Sequence, residues 1–288
     1  DISHFCPRQY LVQIGIHHMK IEPLIMICFT KKFSSLGILL FLLAGCQPKV
    51  YLMPPPISMQ PESDYFQLSG DSHFDDNLLY TLYATNRVSF DRPDSSSTGY
   101  SIFPSNTLRL GFVVHSVGEE GTTWDDLFQQ SLKENRDKDL LIRQIYTRER
   151  ASYDQYDDLT KTSSRGDGFF DQINQILSEN FDKDILVYVH GANSTFYRAT
   201  AQGAQYYHFT GHNSIVLTFS WPSAENILKY KTDVAHARLT VPAFTRLLEL
   251  LATHTKARKI NILAYSAGAQ VVAPALALLS DLYPHLTD

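Results

Sequence analysis

Residues 262–268, Ile-Leu-Ala-Tyr-Ser-Ala-Gly, have the pattern of a buried strand that ends in a sharp turn carrying one serine, Ser266. A serine hydroxyl is a weak nucleophile unless the backbone holds it out of the sheet and beside a base. A strand–serine–helix turn with small flanking residues holds it in that way, and Ala264 and Gly268 are the small residues here. Because such patterns also arise by chance, the surrounding segments decide whether Ser266 is a candidate nucleophile.

Two apolar runs upstream of this turn also end in turns of their own. Residues 187–189 are followed by His190-Gly191, and residues 215–219 are followed by Ser220-Trp221. Three apolar strands separated by helical segments predict a parallel sheet that is covered on both faces. The site of such a sheet lies at the carboxyl ends of its strands. A backbone N–H after His190-Gly191, paired with the N–H of Ala267, can then form an oxyanion hole. The alternative is a buried strand–helix unit whose histidine is hydrogen-bonded to neighbouring backbone.

The order of these segments resembles the α/β-hydrolase fold and, more narrowly, a bacterial family of exported α/β-hydrolases of uncharacterised function. The resemblance covers about residues 78–284. Tyr80 to Arg87 is similar to the family's first strand. The other parts that carry the resemblance are His190 to Asn193, Phe219 to Ser223, Asp233 and the turn at Ser266. Two positions differ from the family pattern. Tyr265 stands where histidine often precedes the serine, and Ala269-Gln270 stands where an arginine often follows.

The resemblance implies an α/β protein of three layers with a mostly parallel sheet. It also implies that Ser266 is the nucleophile and that the amides of Ala192 and Ala267 form the oxyanion hole. The residues expected to support this site are His190, Gly191, Tyr265 and Gly268.

The catalytic acid and histidine of this fold follow the serine after further strands. Asp281 and His285 are the late candidates, but residues 268–282 have the apolar spacing of one helix. At about 1.5 Å per residue, Asp281 lies roughly 20 Å from Ser266, so neither residue is expected to be the base. We therefore expect a chain that is truncated after the nucleophile helix, lacks its acid and histidine, and is inactive as it stands.

The amino-terminal segment predicts export and lipidation. Lys31-Lys32 precedes an apolar run at residues 36–43, which is followed by Ala44-Gly45-Cys46. This is the pattern of a lipoprotein signal peptide over residues 26–45, with Cys46 as the lipidated residue. A transmembrane anchor is the alternative, but the uncharged stretch is shorter than the roughly 20 residues that a span needs.

The residues on either side of the signal peptide lead to two further expectations. Residues 1–25 are interpreted as a non-native upstream extension, with Met26 or Met19 as the true start. Gln47 resembles the sorting pattern for the outer membrane. We therefore expect a bacterial cell-envelope protein that is lipid-anchored in the outer membrane and faces the periplasm.

Residues 46–71 are rich in proline and predict an extended tether, and residues 72–288 form the expected domain. Within it, the patterns predict two outer strands at residues 79–84 and 108–117. They also predict helices at residues 127–141, 169–177 and 233–254, the last with either a start near Thr240 or a kink at Pro242.

Several ligand classes are not expected. The net charge is −5 and the basic residues do not cluster, which argues against nucleic acid. His208 and His212 have a helical metal spacing but no glutamate partner, so no metal site is predicted. The carboxylates at residues 154, 157 and 158 are interpreted as a solvated loop. No cofactor is expected, and cleavage before Cys46 leaves no thiol for an internal disulfide.

The function expected from the sequence is a membrane-anchored serine hydrolase that acts on an ester, thioester or amide. Its substrate would be a small-molecule or lipid-like acyl compound, attacked by Ser266. The alternative is a non-catalytic envelope lipoprotein that uses the same scaffold to bind a partner.

Overall fold

One seven-stranded mixed sheet runs through the part of the chain that the computed structural model describes, which is residues 49–56, 77–91, 97–156, 168–224 and 226–286. Its strands are β1 (Val50–Tyr51), β2 (Leu78–Asp91), β3 (Thr98–Val117), β4 (Leu141–Asp154), β5 (Ile185–Val189), β6 (Ile215–Phe219) and β7 (Ile260–Ala264). Their order in the sheet is β1-β4-β3-β2-β6-β5-β7.

Helices cover both faces of this sheet. In chain order they are α1 (Trp124–Ser131), α2 (Phe169–Glu179), α3 (Phe196–Phe209), α4 (Tyr230–His254) and α5 (Ala269–Leu282). The larger apolar core joins α2, α4 and α5 to β5 and β6. A second core joins α1 and α3 to the other half of the sheet. The predicted three-layer α/β fold is therefore confirmed.

The sheet is parallel in the half that carries Ser266. β2 pairs with β6, β6 with β5 and β5 with β7, all in parallel register. β5 and β6 consist of apolar and β-branched residues with one tyrosine or threonine each, as expected of strands whose two faces are both covered by helices. The remaining pairs are antiparallel.

The segment between residues 127 and 154 differs from its prediction. The expected helix at residues 127–141 is only partly present, because α1 ends at Ser131 and β4 begins at Leu141. β4 has several exposed charged residues, and its buried residues lie on both faces of the sheet: Ile142 packs in the second core and Ala151 in the larger core. Two register shifts against β3 interrupt its alternation. Pairing with β3 over most of its length holds β4 in place, and local sequence does not encode that pairing.

Two other helices agree with their predictions. α2 begins at Phe169, and α4 begins three residues before the predicted start at Asp233. α4 also runs through Pro242. The alternative start near Thr240 is therefore wrong.

The first described residues are packed on the domain and do not form a spacer. β1 pairs with β4, and the side chain of Leu52 is only 4% exposed in the second core. The guanidinium of Arg136 donates hydrogen bonds to the carbonyls of Leu52 and Met53 at 2.7 and 2.8 Å. This corrects the expected tether for residues 49–53. Residues 57–71 lie outside the described ranges.

The predicted amino-terminal features fall outside the described residues as well. These are the upstream extension at 1–25, the signal peptide at 26–45 and the lipidation site at Cys46. Within the described ranges, every helix is too short or too polar to cross a membrane.

Candidate active site

The carboxyl ends of β5, β6 and β7 lie side by side. Val189 pairs with Phe219 on one side and with Ala264 on the other, so the three strands end at the same level of the sheet. The segments that follow them begin with His190-Gly191, Ser220-Trp221 and Tyr265-Ser266. The sheet therefore brings together the three turns that the sequence singled out.

Ser266 sits in a strained turn at the end of β7. Its φ angle is +50°, in the left-handed region that non-glycine residues rarely occupy. The turn is fixed by two hydrogen bonds: the Tyr265 N–H donates to Val189 O, and the Gly268 N–H donates to Tyr265 O, each at 2.9 Å. A serine held in this conformation between a strand and a helix has its side chain presented at the strand end, and Ser266 is exposed there.

Two glycines let the backbone come close enough to form this turn. A Cβ atom at Gly268 would lie 2.7 Å from the carbonyl oxygens of Val189 and His190. A Cβ atom at Gly191 would lie 3.2 Å from the Cβ of Ser266 and 3.0 Å from the Tyr265 ring. The backbone after β5 is therefore in direct contact with the serine turn.

His190 is buried and holds the turn after β5 against the turn after β6. Its ring stacks on Trp221 at a centroid distance of 5.1 Å, and the Trp221 indole N–H donates to His190 O at 2.6 Å. The ring nitrogens lie 2.7 Å from Gly191 O and 3.0 Å from Trp221 O. Burial, reinforced by the positive charge of Arg87, lowers the pKa of His190 to about 3. The neutral ring donates its one N–H to one of these carbonyls at a time. His190 therefore holds the two turns together and is not placed to act as the base for Ser266.

Asp233 ties the same two turns together from α4. Its carboxylate is 1% exposed and accepts hydrogen bonds from the Asn193 N–H at 3.0 Å and from the Ala224 N–H. Asn193 has a φ angle of +54°, so this carboxylate stabilises a strained backbone next to Ala192. The resemblance included Asp233 but gave it no role.

Arg87 is a positioning residue that the sequence analysis did not single out. At the end of the buried part of β2, its guanidinium donates to Ser194 O at 2.9 Å and to Ser101 O at 3.1 Å. The side chain is fully buried. The signal that points to it is a run of three polar residues, Thr85-Asn86-Arg87, at the end of an otherwise apolar strand.

The two candidate oxyanion donors are next to Ser266 in space or in sequence. Ala267 follows the serine directly and is buried, and Ala192 follows Gly191, which contacts the serine. The Ala192 N–H has no acceptor within the described part of the chain. An amide in that position is able to donate to a developing oxyanion.

No base is paired with Ser266 in the described ranges. The Ser266 hydroxyl makes no hydrogen bond to any described residue. Asp281 and His285 lie exposed at the far end of α5 and in the turn after it. This agrees with the expectation that neither acts on the serine.

His208 and His212 belong to a different, buried cluster. The Nδ1 of His208 lies 3.2 Å from the Nε2 of His212, and its Nε2 lies 2.7 Å from the Ser131 hydroxyl. In the residues the structure describes, no group of three or more His, Cys, Asp or Glu side chains is arranged to hold a metal ion.

Comparisons with known proteins agree with this fold. Residues 167–282 match the model of a family described as "Alpha/beta hydrolase of unknown function (DUF900)". No curated protein and no solved structure is significantly similar to the chain. The matched residues include the three parallel strand ends and the Ser266 turn, whereas the strand at Tyr80 to Arg87 lies outside the match. The region that carries Ser266 is therefore similar to an α/β-hydrolase family of unknown function.

Proposed function

We propose that this protein is a serine hydrolase that cleaves an ester, thioester or amide with Ser266 as its nucleophile. The observation that carries the proposal is the positive φ angle of Ser266 at the end of β7, in contact with the backbone after β5. Maintaining a non-glycine residue in this conformation costs about 1–3 kcal/mol. That cost has a function if the turn serves to present the hydroxyl to a substrate.

The proposed reaction is a two-step acyl transfer. The Ser266 oxygen attacks the acyl carbon while a base takes its proton, and the carbonyl oxygen becomes an oxyanion that accepts from the Ala192 and Ala267 amides. The tetrahedral intermediate then collapses and expels the leaving group, which takes the proton back from the base. Water then attacks the acyl-enzyme, releases the acid and restores the serine. The base is a residue that the described ranges do not place at Ser266.

The location proposed for this activity is the bacterial cell envelope, with the protein attached to the outer membrane through acyl chains on Cys46. The support is the basic and apolar pattern of residues 31–43 before Ala44-Gly45-Cys46. Metabolic labelling with an alkyne analogue of palmitate tests it. We expect the wild type to be labelled and Cys46→Ser to lose the label. Equal labelling of the two proteins would contradict lipidation at Cys46.

One observation favours a second function, that of a non-catalytic envelope protein which binds a partner on the same scaffold. The Ser266 hydroxyl has no hydrogen-bonded base in the described residues. A serine that is never deprotonated is inert towards acyl substrates.

Covalent labelling separates these two functions. The full-length gene product is treated in membranes with a fluorescent fluorophosphonate probe, beside Ser266→Ala and the control Ser280→Ala, which changes an exposed serine on α5. Labelling that is lost only in Ser266→Ala is the expected result. A folded protein that takes up no probe would overturn the hydrolase and leave the binding function.

A further inference from the structure

A cleft of about 460 Å³ opens beside the turn that follows β5. It is lined by that turn, from His190 to Ser194, and by residues of the amino-terminal segment at β1. α3 contributes Arg198, Gln202 and Gln205. Tyr265, the residue before the candidate nucleophile, is also in the lining, so the cleft adjoins the Ser266 turn.

The charges that line this cleft have one sign. Among the described residues that line it, Lys49 and Arg198 are the charged ones, both exposed, and none is an aspartate or a glutamate. The chain as a whole carries a net charge of −5, so this local excess of positive charge is opposite to the average of the protein. Such a concave surface attracts anions.

Arg198 is held in a position where it can bind an anion. One of its terminal nitrogens donates to Asn193 O at 3.3 Å, which ties the guanidinium to the turn that contains Ala192. Its other N–H groups make no hydrogen bond to a described residue. An arginine fixed at one end retains the paired donors that suit carboxylate and phosphate oxygens.

The remaining wall suits the uncharged part of such a molecule. Tyr188 and Tyr206 pack edge to face at 5.1 Å, and Tyr265 is 67% exposed at the edge of the cleft. Burial raises the pKa of Tyr188 and Tyr206, so both phenols are neutral hydrogen-bonding groups with apolar rings. Aromatic surfaces of this kind contact chains and rings without requiring charge.

We propose that the substrate is an acyl compound that carries an anionic group, a phosphate or a carboxylate, which binds in this cleft at Arg198 and Lys49 while its acyl carbon lies at Ser266. The proposal rests on the proposed hydrolase function for the position of the acyl carbon. The anion site itself depends only on the lining of the cleft. The amino-terminal segment then has a role in substrate selection, because Lys49 precedes β1 directly.

Equilibrium binding tests the site without requiring catalysis. Octyl phosphate and the neutral octyl glucoside are titrated into the full-length protein by isothermal titration calorimetry. We expect octyl phosphate to bind at least about tenfold more tightly, a difference of about 1.4 kcal/mol, because hydrogen bonds to charged groups are stronger than those to neutral ones. The double variant Lys49→Gln/Arg198→Gln is expected to lose this preference. The control Lys259→Gln, at the opposite end of β7, is expected to keep it.

Two results would overturn the anion site. One is equal affinity for octyl phosphate and octyl glucoside, and the other is an unchanged preference in the double variant. Because Arg198 also contacts Asn193 O, Arg198→Lys is measured as well. Retention of the preference in Arg198→Lys and its loss in the double variant together attribute the effect to charge.

Further probes separate the sources of the anion and the two levels of the proposal. Methyl phosphate represents a soluble anion, and dihexanoylphosphatidylglycerol represents a lipid head group. The probe that binds with the higher affinity identifies the source of the anion. Fluorophosphonate labelling of Ser266 is scored independently. Labelling without an anion preference contradicts only the anion site, whereas an anion preference without labelling contradicts the hydrolase and retains the anion site.

Discussion

The imidazole of His190 and the indole of Trp221 lie parallel, with 5° between their planes. The indole N–H donates to His190 O, and the Nε2 of His190 lies 3.0 Å from Trp221 O. The two residues come from turns after neighbouring strands, so this stack fixes the distance between the turns. The turn after β5 contacts Ser266 through Gly191. A change in the stack should therefore affect the serine without touching it.

Trp221→Phe tests this coupling. The phenyl ring keeps most of the packing but leaves His190 O without its donor, and an unsatisfied buried carbonyl costs about 1–3 kcal/mol. We expect a lower urea midpoint of unfolding and slower fluorophosphonate labelling of Ser266. Trp124→Phe, on α1 in the other core, is the control and should leave the labelling rate unchanged. Labelling at the wild-type rate in Trp221→Phe would mean that the stack does not position the turn.

Gly268→Ala tests the close approach at the serine turn. The added methyl would lie 2.7 Å from two carbonyl oxygens, and relieving such a contact usually costs about 1–3 kcal/mol. We expect a destabilised protein with little labelling of Ser266. Gly168→Ala is the matched control, because a methyl there meets no atom of a described residue within 4 Å, and its stability should be equal to or higher than that of the wild type. Equal stability of the two variants would contradict the crowded turn.

The sequence was sufficient to predict the parts of the fold that are encoded locally. The apolar runs of β5 and β6 are buried almost throughout, so their composition alone identifies them. β7 has the same kind of apolar run, although it lies at the edge of the sheet and its residues are half-buried or exposed. The turn at Ser266 follows from small residues at fixed spacing. β4 was missed because two register shifts against β3 interrupt its alternation of buried and exposed residues, and because β3 supplies the partner that holds it in the sheet. Segments such as β1 are stabilised by residues about 90 positions away, which no local pattern shows.

The same distinction applies to the candidate site. Ser266 and the turn after His190 were predicted, since their chemistry is visible in short segments. The roles of Asp233 and Arg87 were not predicted, because their hydrogen-bond partners are 40 and 107 residues away in the chain. A carboxylate inside a helix gives no local sign that it accepts from a distant strained turn.

Asp233→Asn tests the role of this carboxylate. One oxygen accepts from Asn193 N–H and the other from Ala224 N–H, so an amide must place its NH₂ group against one of these donors. We expect a loss of about 1–3 kcal/mol in the free energy of unfolding and slower labelling of Ser266. Asp281→Asn, at the exposed end of α5, serves as the control and should behave like the wild type. A variant as stable as that control would show that Asp233 is not holding the turn.

The buried histidines predict that the protein loses stability in mild acid. Burial lowers the pKa to about 3 in His115, His190 and His212, and His208 shifts in the same direction. In the unfolded chain the pKa of histidine is about 6.5, so between these values the unfolded state binds more protons. The free energy of unfolding therefore decreases as the pH falls below about 6.5.

The size of this loss can be measured by urea unfolding at about pH 7.5 and about pH 5.5. Each histidine with a folded pKa near 3 is expected to remove about 1.4 kcal/mol between these conditions, since one pH unit corresponds to that free energy per proton. His115→Gln should reduce the pH-dependent loss by about that amount, whatever its effect on absolute stability. His285→Gln changes an exposed residue and should retain the full loss. A wild type that is equally stable at both pH values would show that these imidazoles are not buried in the neutral form.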